Sequence, residues 1–124
     1  MIAADTSAWI SFFEGDEGED VVALAKALKA RQVVMPPPVL TELLSDPKLS
    51  PSVAQTLLEL PLVPLTDGFW FRAGKLRAKA LARKRKARLG DALIAQCCID
   101  ADVALITCDR DFKAFAETLK LNLC

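Results

Sequence analysis

The sequence predicts an α/β fold in which helices cover both faces of a central, mainly parallel sheet. Three observations lead to this prediction. Short apolar runs without polar alternation are typical of strands that are buried on both faces. Segments with apolar residues at helical spacing separate those runs. The regular alternation of strand and helix then favours three α/β/α layers. The length of 124 residues corresponds to a single domain, 1–124.

The first half of the chain shows this alternation clearly. An apolar run at 1–5 predicts a strand that ends at Asp5, and a short helix follows at 6–13. An acidic loop then precedes an amphipathic helix at 19–31, and a second strand is expected at 32–35. Prolines separate the next three elements, which are two helices and a short extended segment at 39–46, 51–60 and 62–65.

The second half continues the same pattern. A long basic helix is predicted at 68–87, and the next helix, at 92–100, opens after Gly90-Asp91. The apolar run at 103–106 predicts a buried strand. The remaining elements are a final helix and a last strand, at 109–119 and 120–124. No apolar run approaches the roughly 18 residues that a transmembrane helix requires, so no membrane association is expected.

Missing residue types restrict the chemistry. The chain contains no histidine and no tyrosine, which excludes Ser-His-Asp and Cys-His catalysis, HExxH zinc sites and a histidine base. The cysteines, Cys97, Cys98, Cys108 and Cys124, form no CxxC pair, so we interpret all four as small buried hydrophobic residues. The N-terminus has no signal-peptide pattern, and we therefore expect a reducing, cytoplasmic location.

Charge is segregated along the chain although the formal net charge is zero. Residues 1–20 carry six acids and no base, whereas residues 69–89 carry nine bases and no acid. A basic segment of this kind favours a polyanionic partner such as RNA. The alternative is a solvated helix face, although three consecutive bases do not fit one face. The candidate RNA-binding residues are Arg72, Lys75, Arg83, Lys84, Arg85, Lys86 and Arg88.

Four acids from separate segments are expected to meet at one edge of the sheet, where open parallel sheets bind ligands. Asp5 ends the first strand, Asp109 follows the strand at 103–106, Asp91 opens a helix, and Glu42 lies one turn beyond the second strand. Each aspartate has an alternative role as the N-cap of the following helix, and Glu42 could face solvent. Capping and catalysis are compatible, because a cap at a strand end also faces the cleft.

Clustered carboxylates repel one another, and a divalent cation removes that cost. Oxygen ligands without histidine or cysteine suit Mg²⁺, with Mn²⁺ as a substitute. With the basic segment, such a site predicts hydrolysis of a phosphodiester by an activated water. One alternative is phosphoryl transfer of the receiver or aspartyl-phosphatase type, which would need a second aspartate and a lysine that are missing. Another is a non-catalytic nucleic-acid-binding module, which leaves the four acids unexplained.

Four segments occur in the order and spacing of a known family. They are IAADTS at 2–7, MPPPVLTELL at 35–44, LGDALIA at 89–95 and ITCDRDF at 106–112. Together they resemble the PIN-domain ribonucleases and, among these, the VapC-like toxins of prokaryotic toxin–antitoxin pairs. The resemblance spans nearly the whole chain and implies an Mg²⁺-dependent endoribonuclease. It also implies a cognate antitoxin and a homodimer.

The resemblance assigns roles to individual residues. It implies that Asp5, Glu42, Asp91 and Asp109 are the catalytic acids. We expect Asp5 and Asp91 to ligate the metal directly and Asp109 to complete the coordination. Supporting roles near the metal fall to Ser7 and Asp111.

The partner surfaces are expected to be apolar. Two aromatic clusters, Trp9, Phe12 and Phe13 and then Phe69, Trp70 and Phe71, are candidate contact surfaces for a second copy or an antitoxin. The alternative for each cluster is core packing.

Overall fold

The computed structural model describes residues 1–124 and confirms the predicted fold class, helices on both sides of a parallel sheet. The elements in chain order are β1 (Ile2–Ala4), α1 (Thr6–Phe13), α2 (Glu19–Lys29), α3 (Pro37–Leu44), α4 (Pro51–Leu58), α5 (Phe69–Ala82), α6 (Leu89–Ala101), β2 (Ala104–Thr107), a 3₁₀ helix (Arg110–Phe115) and β3 (Leu121–Leu123).

The centre of the sheet consists of three parallel strands in the order β1-β2-β3. Ala4 lies opposite Ile106, so β1 and β2 end at the same level. The backbone N–H of Asp5 continues this pairing by donating to the Ile106 carbonyl at 3.0 Å. The residues that follow β1 and β2 therefore emerge side by side at one edge of the sheet.

The strands predicted in the proline-rich part of the chain are shorter than expected. Instead of continuous strands, Val33 makes one parallel bridge with Ile2, and Met35 makes one with Leu62. The segment changes its partner between these two bridges. The neighbouring prolines have no N–H to donate, so neither ladder can be extended. These bridges nevertheless continue the sheet beyond β1.

Apolar side chains between the sheet and its helices form the core. Trp9, Leu105, Ile106, Phe112 and Phe115 are all buried in one cluster. Helices α1 and α2 pack on each other and on β2, while α5 packs on α6, which also contacts β2. Burial of large apolar side chains on both sides of the central strand stabilises the layered arrangement. None of the helices combines the length and the apolar character needed to cross a membrane.

Helix α5 is shorter than the predicted basic helix and ends at Ala82. Lys84 adopts a left-handed backbone conformation with a φ of 58°. Its N–H donates to the Leu81 carbonyl at 2.9 Å, and the N–H of Arg85 donates to the Ala80 carbonyl at 3.0 Å. This is the hydrogen-bond pattern of a Schellman motif, which ends a helix. The basic residues that follow therefore lie in a loop that leads into α6.

The last predicted helix is a short 3₁₀ helix followed by turns. The Asp109 carboxylate accepts a hydrogen bond from the Asp111 N–H at 2.9 Å. This contact spans two residues, as in an Asx turn, and gives the segment a tight start. The i→i+3 hydrogen bonds of the 3₁₀ helix then continue only as far as Phe115.

The four cysteines are of two kinds. Cys97 and Cys98 are buried on α6, as predicted, and burial raises the pKa of each thiol to about 12. Cys108 and Cys124 instead form a disulfide, and the Cα atoms of the two residues are 4.8 Å apart. The prediction of a buried hydrophobic role was wrong for this pair, because Cys108 is exposed. The parallel pairing of β3 with β2 brings the C-terminal residue beside the end of β2, where the disulfide ties the two.

The disulfide closes a loop with a sequence separation of 16 residues. For a loop of this size, the chain-entropy model gives a stabilisation of about 3 kcal/mol. Under oxidising conditions we expect Cys124→Ser to lower the free energy of unfolding by about that amount. The measurement is urea unfolding with and without a dithiol reductant. The reductant should bring the wild type down to the variant and leave the variant unchanged; equal stability of the two oxidised proteins would contradict this prediction.

Candidate metal centre

The ends of β1 and β2 open into a pocket of about 200 Å³. Asp5, Glu42, Asp91 and Asp109, the four acids predicted to converge, all line it, and so does Ser7. They come from the end of β1, the middle of α3, the first turn of α6 and the start of the 3₁₀ helix. The parallel topology is what brings these distant segments to one edge of the sheet.

Asp5 is the most buried of these acids, at 3% exposure. It is the N-cap of α1 and accepts a hydrogen bond from the Ala8 N–H at 2.9 Å. The hydroxyls of Ser7 and Thr107 also donate to its carboxylate. Burial raises the pKa of Asp5, and the hydrogen bonds from Thr107, Ala8 and Ser7 oppose that rise. Asp5 is thus both a helix cap and a wall of the pocket.

Thr107 is a site residue that sequence reasoning missed. It is fully buried at the end of β2, where its hydroxyl donates to Asp5 and accepts from the Asp109 N–H at 2.9 Å. One hydroxyl therefore fixes the two acids relative to each other. The available signal was a small hydroxyl residue at the end of a buried strand, two positions before an aspartate.

Asp91 does not cap its helix. Helix α6 begins at Leu89 with Arg88 as N-cap, so Asp91 lies within the first turn. Its Oδ2 atom is buried and has no hydrogen-bond partner. Burial, followed by the negative charge of Asp109, raises the pKa of Asp91 to about 6, and Arg88 opposes the rise. Burying a carboxylate oxygen without a partner costs free energy, and a bound cation or a hydrogen-bond donor would offset that cost.

The arrangement of oxygens fits a divalent cation. Carboxylate oxygens of Asp91, Asp109 and Asp111 all lie within 4.8 Å of one another. All three residues are half-buried, and one of them, Asp91, also carries the buried Oδ2 atom that has no partner. Hard oxygen donors without nitrogen or sulfur suit Mg²⁺ or Mn²⁺. Asp111, predicted to have a supporting role, therefore stands with the candidate ligands. The carboxylate of Asp5, predicted to be a direct ligand, accepts hydrogen bonds from three donors and has fewer lone pairs left for a cation.

Glu42 stands apart from this group on the exposed side of the pocket. Its Oε1 accepts a hydrogen bond from the Thr6 hydroxyl at 2.8 Å. Thr6 is a second residue that sequence reasoning missed, although it directly follows Asp5. This hydrogen bond orients the Glu42 carboxylate and leaves its other oxygen, Oε2, available.

The predicted RNA-binding residues separate into engaged and free side chains. Arg72 contacts Asp100 at 2.7 Å and also donates to Thr66, so its guanidinium joins α5 to α6. The Asp100 carboxylate raises the pKa of this guanidinium. The Arg72 guanidinium is thus engaged within the fold, and its predicted role in RNA binding stays a prediction. Arg83 pairs with Glu117 at 2.9 Å, although both side chains are more than half exposed.

Two of the remaining bases lie at the acids. Lys86 contacts Asp111 at 3.4 Å, and Arg88 lines the acid pocket itself. Lys75 lies over the exposed Phe71 ring, 5.6 Å from its centre. Lys84 and Arg85 have exposed side chains with no ion pair. The loop between α5 and α6 thus brings positive charge to the rim of the pocket.

Comparisons with known proteins agree with this geometry. The family model described as PIN domain matches residues 2–118. The chain is 29% identical to "VapC ribonuclease Mb1587" of Mycobacterium bovis and to "Ribonuclease VapC11" of Mycobacterium tuberculosis, over 98% of this chain and 96% of each relative.

Two solved structures share the fold across nearly the whole chain. One is VapBC2 of Rickettsia felis bound to a promoter DNA fragment, with a TM-score of 0.75, 21% identity and coverage of 100% of this chain and 99% of the other. The other is DNA-bound VapBC of Salmonella typhimurium, with a TM-score of 0.74, 16% identity and 98% of each chain covered. With the family model spanning all the acids of the pocket, the chain belongs to the PIN-domain family.

Proposed function

We propose that this protein is an Mg²⁺-dependent endoribonuclease and the toxin of a toxin–antitoxin pair. The observation that carries the proposal is the acid cluster at the pocket, in which one carboxylate oxygen each of Asp91, Asp109 and Asp111 lies within 4.8 Å of the others and Asp91 has a buried oxygen without a partner. Relatives that carry ribonuclease names over nearly the full length of the chain support RNA as the substrate.

Asp91, Asp109 and Asp111 would hold the cation, and Asp5 and Ser7 would line the remaining wall of the pocket. When bound, Mg²⁺ activates a water and stabilises the negative charge that develops on a phosphodiester. Thr107 keeps Asp5 and Asp109 in place through its two hydrogen bonds. Such fixed positions matter because small displacements of catalytic groups lower rates strongly.

Two further residues have roles at the reacting group. Arg88 lines the pocket and would bind a non-bridging phosphate oxygen. Glu42, oriented by Thr6, would accept the proton of the attacking water. A carboxylate is the available base because the chain contains no histidine.

The proposed partners are a cognate antitoxin and a second copy of the chain. The structural neighbours are complexes of a VapC-type protein with its antitoxin, which supports the first partner. Trp9 and Phe69 are buried in the core, so these members of the two aromatic clusters are excluded as contact surfaces. Exposed apolar side chains at Leu58, Leu62 and Phe71 remain for self-association. We place the protein in the cytoplasm, where RNA and antitoxin are available.

The first prediction on activity concerns the metal. EDTA should abolish cleavage of a tRNA pool, and Mg²⁺ or Mn²⁺ should restore it, because the proposed ligands are all carboxylates. The measurement is gel analysis of labelled RNA. Asp91→Asn protein, which lacks a proposed metal ligand, serves as a matched control for contaminating nucleases. Cleavage that continues undiminished in EDTA would eliminate the metal mechanism.

The second prediction concerns Asp91→Asn. This change should abolish turnover and raise the stability of the metal-free protein above about pH 6. The pKa of Asp91 lies near 6 in the fold against 3.8 ordinarily, so ionisation of Asp91 costs stability as pH rises through this range. After allowance for solvent screening, the expected gain at neutral pH is on the order of 1–2 kcal/mol, and it vanishes near pH 4.

Urea unfolding in EDTA at both pH values measures this effect. Asp16→Asn is the matched control, since it removes the same charge from the exposed acidic loop. It should change neither turnover nor stability. An Asp91→Asn protein that is destabilised at neutral pH yet active would show that Asp91 is structural.

The third prediction concerns Lys84 and Arg85. Changing both to alanine should weaken RNA binding and flatten its salt dependence, because side chains that neutralise phosphates release counterions. Turnover at saturating RNA should change little. The matched control is the Lys26→Ala, Lys29→Ala pair on α2, which removes the same charge from a distant helix. Binding titrations at several salt concentrations measure the difference; equal salt slopes for the two variants would remove this loop from RNA binding.

A further inference from the structure

A second cavity adjoins the acid pocket. It is an open cleft of about 330 Å³ between the first turns of α3, α5 and α6. Glu42 lines both cavities. In α6, Gly90 lines the cleft whereas its neighbour Asp91 lines the acid pocket. A single wall made by α3 and α6 therefore separates the two cavities.

The lining of the cleft suits a flat aromatic group. Pro37, Leu65 and Leu93 supply apolar surface above the buried Phe69, and Trp70 lies at the rim with 68% of its surface exposed. The ring of Phe69 is buried and meets the Trp70 ring edge-on, with centres 5.0 Å apart. Because Phe69 is fixed in the core, it holds the neighbouring indole at the mouth of the cleft.

Glu42 is the one charged residue that lines the cleft, so the positive charge that bears on its occupant lies beside it. Trp70 belongs to the segment 69–89, which carries nine bases and no acid. Arg88, from the same segment, lines the acid pocket next door. An RNA chain can place one phosphate at the acid pocket, beside Arg88. The nucleotide next to that phosphate then lies at the adjoining cleft. Single-stranded RNA presents unstacked bases, which proteins bind by stacking on aromatic side chains.

We infer that the cleft binds the nucleobase next to the scissile phosphate, with the Trp70 indole as the surface on which it stacks. This inference rests on the proposed function. Trp70 is then a positioning residue: it fixes the register of the RNA so that the correct phosphate reaches the acids. Stacking does not discriminate strongly among bases, so any base preference comes from the polar groups of the cleft, Thr41 and Glu42.

The test uses tryptophan fluorescence, because the chain has two tryptophans and Trp9 is fully buried. The probes are a single-stranded oligouridylate and an abasic ribose-phosphate oligomer of equal length, which has the same charge and no bases. Ca²⁺ replaces Mg²⁺ and accepts the same oxygen ligands. The oligouridylate should quench Trp70 emission and bind about tenfold more tightly than the abasic oligomer.

Three variants separate stacking from charge. In Trp70→Ala, the two oligomers should bind equally, and in Trp70→Phe most of the preference should return. Leu81→Ala is the matched control, because Leu81 is an exposed apolar residue of the same helix, α5, and lies outside the cleft. It should keep the full preference. In cleavage assays, Trp70→Ala should raise KM about tenfold or blur the cleavage position, with kcat largely retained.

Two results would overturn the inference. One is an undiminished preference for bases in Trp70→Ala. The other is an indole shielded from acrylamide in the free protein together with a light-scattering mass of two chains, which would mean that a second copy covers the cleft. Failure of the proposed function has a different signature: the wild type would not cleave RNA in Mg²⁺, whatever the binding titrations show.

Discussion

The Thr107 hydroxyl joins the two strand ends that form the acid pocket. It donates to Asp5 at the end of β1 and accepts from the backbone N–H of Asp109 beyond β2. This bridge requires the parallel register in which Ala4 lies opposite Ile106. The apolar core on either side of β2 maintains that register, because a slip of one residue would turn Thr107 out of the pocket. Core packing thereby fixes the positions of the Asp5 and Asp109 carboxylates.

The pocket itself opposes folding. Asp91 has a buried oxygen without a partner, and the charges of Asp109, Glu42 and Asp111 all disfavour its ionised form. Only two basic side chains, Arg88 and Lys86, reach this group of acids. Such concentrated like charge is typical of sites shaped for a cation rather than for stability. The rest of the fold must supply the stability that this edge lacks.

Sequence patterns predicted most of this architecture for identifiable reasons. Buried strands are continuous apolar runs, so the positions of Asp5 and Asp109 at strand ends followed directly. The end of α5 was not predictable, since lysine rarely adopts the left-handed conformation that Lys84 has. Tertiary contacts were also out of reach: Arg72 meets an acid 28 residues away, and β-strand register decides which cysteines pair. Local patterns fix elements and their ends, whereas partners across the fold depend on packing.

Glu42 connects the chemistry of the site to its recognition surface. One face of this residue borders the acid pocket and the other borders the apolar cleft below Trp70. On α6, Gly90 lines the cleft and its neighbour Asp91 lines the acid pocket, so adjacent residues of one helix contact the two cavities. A nucleotide that settles in the cleft is therefore registered against the acids by the α3–α6 wall rather than by a flexible loop. Because that wall is packed secondary structure, it holds the proposed base-binding cleft and the acid pocket in one fixed relation to each other.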